Sequence, residues 1–118
     1  MCSIIGYRGK NSAAPILVNG LQRMEYRGYD SVGIATKSKN QILLRKGVGK
    51  VVEVNNAIQL DKLPGNIGIG HTRWATHGKV TEQNSHPHSS NSGKIAIVHN
   101  GIIENFEELK SNLQKKGF

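Results

Sequence analysis

The sequence predicts a mixed α/β protein in which strands and helices alternate along one short chain. Short apolar runs alternate with segments whose apolar residues recur at helical spacing. Two of the apolar runs lie close enough together to pair as a hairpin. The 118 residues include 14 glycines and are 36% hydrophobic, which suits one modest core with many tight turns. We therefore expect one domain or less.

The first half of the chain has four expected elements. Residues 2–6 are an apolar run that ends at a glycine, which is typical of a short buried strand. Over residues 12–24 apolar side chains recur at helical spacing, and Pro15 lies near the helix start, where proline is tolerated. Residues 31–36 and 41–45 are expected to form a hairpin across a four-residue polar loop.

The second half is expected to contain two helices and two strands. A short helix over 50–60 ends before a Pro-Gly pair, and residues 66–71 and 94–99 are apolar enough for strands. Asn105 is expected to cap the last helix, which would end at Gly117. The apolar face of that helix would comprise Phe106, Leu109 and Leu113. Because a further strand is expected after it, the chain is predicted to be the opening part of a longer domain.

The composition argues against a nucleic-acid or membrane partner. Sixteen Lys and Arg against eight Asp and Glu give a formal net charge of +8, but no basic run exceeds a pair such as Lys115-Lys116. Nucleic-acid-binding surfaces usually carry a basic stripe with interleaved aromatic residues. No apolar stretch approaches the ~18 residues of a membrane span, and residues 1–6 do not resemble a signal peptide. The single cysteine suits a reducing compartment, so a cytoplasmic protein is expected.

That cysteine lies at position 2, directly after the initiator methionine. If Met1 is removed, a thiol and a free α-amine belong to the same residue. An unperturbed thiol titrates near pH ~8.5 and an α-amine near pH ~8, so the amine can take the thiol proton at little cost. N-terminal amines act as bases for adjacent nucleophiles in this way. Position alone assigns no role to Cys2, because a small residue after Met1 commonly has none.

Three polar segments are candidates for a site. They cover residues 25–31, residues 70–78 together with 84–88, and residues 98–105. Each adjoins an expected strand, and loops at strand ends deliver polar groups to a shared cleft. The segments therefore predict one site assembled from distant parts of the chain.

Several residues in these segments have both a catalytic and a structural interpretation. Arg73 has a planar, permanently charged group that suits a carboxylate. Trp74, the one tryptophan, is either a pocket wall or a core residue. Asn100-Gly101 is either a simple turn or an oxyanion hole made by the Asn amide and the Gly N–H.

The five histidines raise the question of a metal site. His86 and His88 are two residues apart on a loop with a proline, which is not a typical zinc spacing, and no cysteine partner exists. We therefore expect neither a metal nor another cofactor. The remaining histidines are His71, His77 and His99.

Taken in order, these segments resemble the glutaminase domain of class II glutamine amidotransferases, a subgroup of the N-terminal-nucleophile hydrolases. The resemblance covers almost the whole chain and implies an αββα sandwich, of which this chain would hold an incomplete portion. Tyr29-Asp30-Ser31 and residues 73–78 are most similar to members that make glucosamine 6-phosphate. Members that act on phosphoribosyl pyrophosphate, which favour a Gln-Glu pair at positions 29–30, remain an alternative.

The resemblance implies a catalytic role for three residues. Cys2 would attack the side-chain amide of glutamine, with its own α-amine as the base. Asn100 and Gly101 would stabilise the tetrahedral oxyanion. Ammonia would leave from a glutamyl thioester, and water would then release glutamate.

It also implies a binding site for glutamine. Arg73 would hold the α-carboxylate of the substrate. The other implied residues are Trp74, Thr76 and His77 on a loop that closes over the substrate, His86 at its border, and Arg27 with Gly28 beside the N-terminal residue.

Residues 1–118 would then be the N-terminal part of this domain. The rest of the domain, and the isomerase domains that bind fructose 6-phosphate, would lie beyond residue 118 in a homo-oligomeric enzyme. The family usually has Gly after the nucleophile, and Ser3 would either crowd the site or reorient. The isolated chain is expected to have little activity. A basic binding module that has kept the fold without catalysis is the alternative from another class.

Overall fold

The computed structural model describes all residues from 1 to 118. In chain order the elements are β1 (Ser3–Arg8), α1 (Ala13–Arg23), β2 (Ser31–Ser38), β3 (Gln41–Val48), α2 (Val51–Ile58), β4 (Ile67–Arg73), β5 (His88–Ser89), β6 (Ala96–Ile97) and α3 (Phe106–Lys115). Short 3₁₀ turns cover Glu25–Arg27 and Leu60–Lys62. Strands and helices alternate, so the predicted mixed α/β class is confirmed.

Four strands form one antiparallel sheet in the order β1-β4-β2-β3, and β5 pairs with β6 in a separate two-stranded sheet. β4 comes from the second half of the chain but lies between β1 and β2. Its residue His71 pairs with Ile4 on one side and Gly33 on the other. Because Ser3 pairs with Thr72, the start of the chain meets the end of β4.

The two faces of the four-stranded sheet have different neighbours. Side chains alternate between the faces along a strand. A Cβ at Gly68 would lie 2.7 Å from Leu17 Cδ1, and one at Gly70 would lie 2.9 Å from Leu21 Cδ1, so both glycines face α1. His71, the next residue along, projects from the opposite face. That second face is where β4 presents polar side chains.

The hydrophobic core lies between α1, α2 and the first face of the sheet. It comprises Ala13, Ala14, Leu17, Val18 and Leu21 of α1, Val32 and Ile34 of β2, Val51 and Val54 of α2, and Leu60 and Leu63. Burying one Leu or Ile side chain stabilises a fold by about 1.5–3 kcal/mol, so this cluster orients the sheet against both helices.

The helices are short and depend on tertiary contacts. Glu25 illustrates this, because its carboxylate accepts a hydrogen bond from the Val51 N–H at 2.6 Å and so satisfies the start of α2 from outside the helix. None of the helices is both long and apolar enough to span a membrane.

The hairpin is confirmed, with a shorter loop than predicted. β2 and β3 pair as far as Ser38 and Gln41, so only Lys39 and Asn40 lie between the strands. Lys39 has a φ of +53°, the left-handed conformation that two-residue hairpin turns require. Backbone pairing therefore continues past the apolar residues from which the two strands were predicted, and both strands are longer than expected.

The last third of the chain has less regular structure than predicted. The strand expected over 94–99 is limited to Ala96–Ile97, because its one partner, β5, has only two residues. α3 forms and Gly117 follows it with a φ of +87°, but Asn105 makes no side-chain capping hydrogen bond. No residue beyond position 87 is buried. The apolar face of α3 is exposed at Phe106, Leu109 and Leu113.

Candidate active site

A cavity of about 760 Å³ opens on the second face of the sheet, where the start of β1 meets the end of β4. Of the ten predicted site residues it is lined by seven, namely Cys2, Arg73, Trp74, Thr76, His77, His86 and Gly101. The other three, Arg27, Gly28 and Asn100, lie outside its lining. The structure therefore brings the second and third polar segments together at one cavity, whereas no residue of the first segment, 25–31, lines it.

Cys2 is half-buried and lies beside Trp74. The Trp74 N–H donates to Cys2 Sγ at 3.3 Å, and Sγ lies 3.5 Å from Trp74 O. Strand pairing explains this contact, since Cys2 precedes Ser3 and Trp74 follows Arg73 at the aligned ends of β1 and β4. A backbone N–H at the sulfur is a donor that a thiolate can accept.

Ser3 does not crowd the cavity. Its side chain is 3% exposed and shares a face with its partner Thr72, which is the face toward α1. Cys2 and Ser3 therefore point to opposite sides of the sheet. The departure from glycine is accommodated in the interior, where the Ser3 hydroxyl has no hydrogen-bond partner.

Gly28 allows the N-terminal segment to approach β4. A Cβ at this position would lie 2.8 Å from Met1 O and 3.1 Å from Trp74 N, and both of these are backbone atoms. Arg27 lies on the outer side, where its Nη2 contacts Met1 Sδ at 2.9 Å. Both residues thus contact Met1 without lining the main cavity. Because the implied role concerns Cys2 after Met1 is removed, the positioning role of Arg27 and Gly28 stays a prediction.

Replacing Gly28 by Ala is expected to displace Trp74 N, which donates to Cys2 Sγ, because the added Cβ would lie 3.1 Å from it. A shift of about 1 Å in a catalytic group can cost about 10²-fold in rate, so we expect a loss of that order in turnover. Gly6→Ala in β1 is the matched control, because the nearest atom to its added Cβ lies at 4.0 Å. Equal activities of the two variants would show that the close approach at Gly28 has no catalytic consequence.

Arg73 is buried and supports the loop that follows it. Its guanidinium donates through Nη1 to Lys79 O and through Nη2 to His77 O. An arginine has five N–H donors, so three remain for a ligand in the cavity. Arg73 therefore combines a structural role, which the sequence did not indicate, with a position suited to a carboxylate.

Trp74 is a pocket wall and not a core residue. Its side chain is 41% exposed and packs edge-on against Tyr29, with ring centroids 5.4 Å apart. The next residue, Ala75, donates its N–H to Asp30 Oδ2 at 2.7 Å. Tyr29 and Asp30, from the first polar segment, thus hold the loop of the second segment beside the cavity.

The segment that carries His86 is attached to the sheet by a lysine that the sequence did not point to. Lys46 of β3 donates from Nζ to Ser85 O at 2.7 Å and to Pro87 O at 3.2 Å. The segment lies directly over Gly33, where an added Cβ would overlap His86 O. Glycine at position 33 is therefore what lets His86 lie against the sheet.

Three histidine rings pack against one another at the cavity, His86 tilted on His71 and edge-on to His88. His86 lies 4.4 Å from both His71 and His88, measured between ring centroids. Burial, followed by the positive neighbours His71, His88, Arg73 and His99, lowers the pKa of His86 to about 3. Burial likewise lowers the pKa of His71 and of His88. No group of three or more His, Cys, Asp or Glu side chains is arranged to hold a metal ion.

The free energy of unfolding is expected to fall as the pH drops below about 6.5. In the unfolded chain His86 binds a proton near pH ~6.5, whereas the folded chain resists protonation down to a pKa of about 3. The unfolded state therefore holds more protons throughout that window, and stability increases with pH across it. Urea unfolding at several pH values should show this slope. His86→Gln should make it shallower, whereas Gln83→Ala on the same loop should not.

Asn100 and Gly101 do not form a hairpin turn, since no strand follows β6. Gly101 lines the cavity with a φ of +141°, which disfavours other residues, and an added Cβ would lie 3.2 Å from His99 Nε2. Asn100 Oδ1 lies 2.6 Å from Nε2 of His71, whose ring lines the cavity. The turn interpretation is wrong, and the oxyanion role of this pair stays a prediction.

The structure adds residues that sequence reasoning did not assign to the site. His71 lines the cavity, and its position two residues before Arg73 in a strand was a usable signal, because such residues share a face. One apolar wall of the cavity is formed by Ile102, Ile103 and Phe106. No pattern in the sequence indicated that these residues would line a site.

A family profile described as a glutamine amidotransferase domain matches residues 55–118, which is more than half of the chain. The chain belongs to this family. Among amidotransferase relatives, the glutamine–fructose-6-phosphate aminotransferase (isomerizing) of Pyrococcus horikoshii is 57% identical over 99% of this chain. The enzyme of the same name from Bacteroides thetaiotaomicron is 55% identical over 100%. This chain spans about a fifth of each relative, 20% and 19% respectively.

Solved structures confirm the amidotransferase fold. The chain matches glutamine phosphoribosylpyrophosphate amidotransferase from B. subtilis, complexed with ADP and GMP, at a TM-score of 0.83 and 31% identity. That match covers 100% of this chain and 26% of the other. A second match, described as the allosteric regulatory enzyme of purine biosynthesis, has a TM-score of 0.84 and 32% identity. The predicted N-terminal-nucleophile hydrolase fold is therefore confirmed, and this amidotransferase chain holds an incomplete portion of its sandwich.

Proposed function

We propose that this chain is the N-terminal, glutamine-hydrolysing part of an amidotransferase. The observation that carries the proposal is that Cys2, Arg73 and Gly101, from three distant parts of the chain, line one cavity. Cleavage of an amide requires a strong nucleophile, a proton carrier for the departing ammonia and donors for the oxyanion. With Met1 removed, Cys2 supplies the first two, and the Asn100-Gly101 segment supplies the third.

The proposed reaction begins when the α-amine of Cys2 takes the thiol proton. The thiolate then adds to the side-chain carbonyl carbon of glutamine, and the Asn100 amide and the Gly101 N–H stabilise the oxyanion. The protonated amine gives its proton to the leaving nitrogen, so that ammonia departs and a glutamyl thioester remains. Water adds to the thioester, which releases glutamate and restores the thiol.

Arg73 is proposed to bind the α-carboxylate of glutamine with the N–H donors that its loop contacts leave free. Trp74, Thr76 and His77 lie on the exposed loop over the cavity, which suits a segment that closes on the substrate. His86 is proposed to border the site, and Arg27 with Gly28 to position Cys2 once Met1 is removed. These roles follow the family resemblance, and the shared cavity supports those of Arg73, Trp74, Thr76, His77 and His86.

We further propose that the ammonia is used to convert fructose 6-phosphate to glucosamine 6-phosphate. The 57% and 55% identities to enzymes named for fructose 6-phosphate support this acceptor over phosphoribosyl pyrophosphate, whose amidotransferase is 31% identical. Residues 1–118 would then be the N-terminal part of the glutaminase domain in a longer polypeptide. That polypeptide is proposed to bind the sugar phosphate elsewhere, to form homo-oligomers and to work in the cytoplasm.

The test measures glutamate release from glutamine by the full-length polypeptide that carries this sequence and by the 118-residue chain. We expect the first to release glutamate, and to form glucosamine 6-phosphate when fructose 6-phosphate is present. The second should be much slower, because part of its pocket is missing. Intact mass should show the loss of Met1, and an active enzyme that keeps Met1 would contradict the role of the α-amine. Absent hydrolysis with salt-sensitive nucleic-acid binding would favour the basic binding module.

A further inference from the structure

The segment that carries Asn100 and Gly101 is connected to the sheet through one side chain. His71 Nε2 lies 2.6 Å from Asn100 Oδ1. The His71 ring also hydrogen-bonds the His99 backbone, and no other residue of 1–97 is hydrogen-bonded to residues 98–118. Phe106 of the same segment also packs against His77, at 5.1 Å between ring centroids. The direction in which the Asn100 amide points therefore depends on His71.

His71 is well suited to act as a rigid anchor. It is 1% exposed and belongs to β4, which has a partner strand on each side. Its ring packs against His86 at an interplanar angle of 32°. A side chain that is enclosed in this way keeps one orientation and fixes the group to which it is bonded.

The surroundings of the His71 ring decide which nitrogen carries the proton. Burial lowers the pKa of His71, so the ring is neutral at pH 7 and has one N–H. Nδ1 is buried without a hydrogen-bond partner, whereas Nε2 faces an oxygen of Asn100. A hydrogen bond between Nε2 and Asn100 Oδ1 requires the proton on Nε2, because an amide oxygen only accepts.

We propose that His71 is a positioning residue that orients the Asn100 amide for catalysis. With Oδ1 held by His71, the Nδ2 group makes no hydrogen bond within the chain, and its two N–H donors are available to an anion. The reversed amide would present Oδ1 and repel an oxyanion. This inference rests on the proposed glutamine hydrolysis, in which Asn100 and Gly101 are the oxyanion donors.

The variants separate hydrogen bonding from packing. His71→Phe keeps a flat ring against His86 but has no N–H to donate. His71→Gln carries an N–H near the position of Nε2 and can restore the contact. Asn100→Ala removes the donor that His71 is proposed to hold.

In the full-length polypeptide, His71→Phe is expected to lower kcat by about 10²-fold, close to the loss of an oxyanion donor, and to leave KM for glutamine unchanged. His71→Gln should stay within about tenfold of the wild type. In the Asn100→Ala background, His71→Phe should cause no further loss, because there is no amide left to orient. A full additional loss in the double variant, or a wild-type kcat in His71→Phe, would overturn the proposal.

A second readout does not need turnover. The ¹⁵N chemical shifts of the His71 ring in the 118-residue chain should be those of the tautomer protonated at Nε2, and they should change in Asn100→Ala. A proton on Nδ1 would overturn the positioning role even in an active enzyme. A wild-type polypeptide that releases no glutamate would instead overturn the proposed function, so the two failures are told apart.

Discussion

Replacing Cys2 by Ala is expected to abolish glutamine hydrolysis in the full-length polypeptide. Without the sulfur no glutamyl thioester can form, and the α-amine has no thiol proton to accept. Removal of a catalytic nucleophile lowers kcat by at least about 10⁴-fold in comparable enzymes. The measurement is glutamate formed from glutamine, with ammonia determined in parallel.

The Cys2→Ala variant also contains its own control for folding. The cavity wall made by Arg73 and Trp74 does not require the sulfur, whose hydrogen bonds are to backbone atoms of Trp74. We therefore expect the variant to bind glutamine with an affinity close to that of the wild type, as measured by calorimetry. Hydrolysis at the wild-type rate by pure Cys2→Ala enzyme would refute the proposed mechanism.

Replacing Arg73 by Lys is expected to raise KM for glutamine by about 10–10²-fold, the cost of losing a charged hydrogen bond. The guanidinium serves two backbone carbonyls of its loop, those of His77 and Lys79, and keeps further donors for a carboxylate. A lysine has one nitrogen and cannot reproduce this planar fork. Steady-state kinetics over a wide range of glutamine concentrations would show the change.

Arg45→Lys is the matched control for Arg73→Lys. Arg45 also donates to two backbone carbonyls, those of Ile58 and Gln59, but it does not line the cavity. Its substitution should lower thermal stability by a comparable amount and leave KM unchanged. An unchanged KM in Arg73→Lys, or an equal rise in both variants, would rule out carboxylate binding by Arg73.

Local sequence patterns were sufficient for elements whose stability depends on one apolar face. Residues 13–23 form the predicted helix because their buried side chains recur on one side, toward the sheet. The hairpin of β2 and β3 was predictable because its strands are neighbours in the chain. The prediction of a strand over 94–99 was wrong in length, because a strand extends only as far as its partner and β5 has two residues.

The site was only partly predictable for a related reason. Cys2, Arg73 and Gly101 could be predicted from their residue types alone. Few other residues replace the chemistry of a thiol or a guanidinium, or the conformation of a glycine with positive φ. The role of Lys46 could not be predicted in this way, because the side chain of a lysine in a hairpin is usually solvated. Its role at Ser85 and Pro87 exists only because β3 lies beside the segment that carries His86.

By itself, the sequence predicted the fold class from its apolar pattern, the amidotransferase family from the resemblance of its motifs, and seven of the sixteen residues that line the cavity. Only the tertiary structure decided how these side chains meet. The pairing of β1 with β4 places Cys2 at Trp74, and the alternation of faces in β4 sends His71 and Arg73 to the cavity. Register and face are properties of two strands some sixty residues apart in the chain, so no local pattern in either strand contains them.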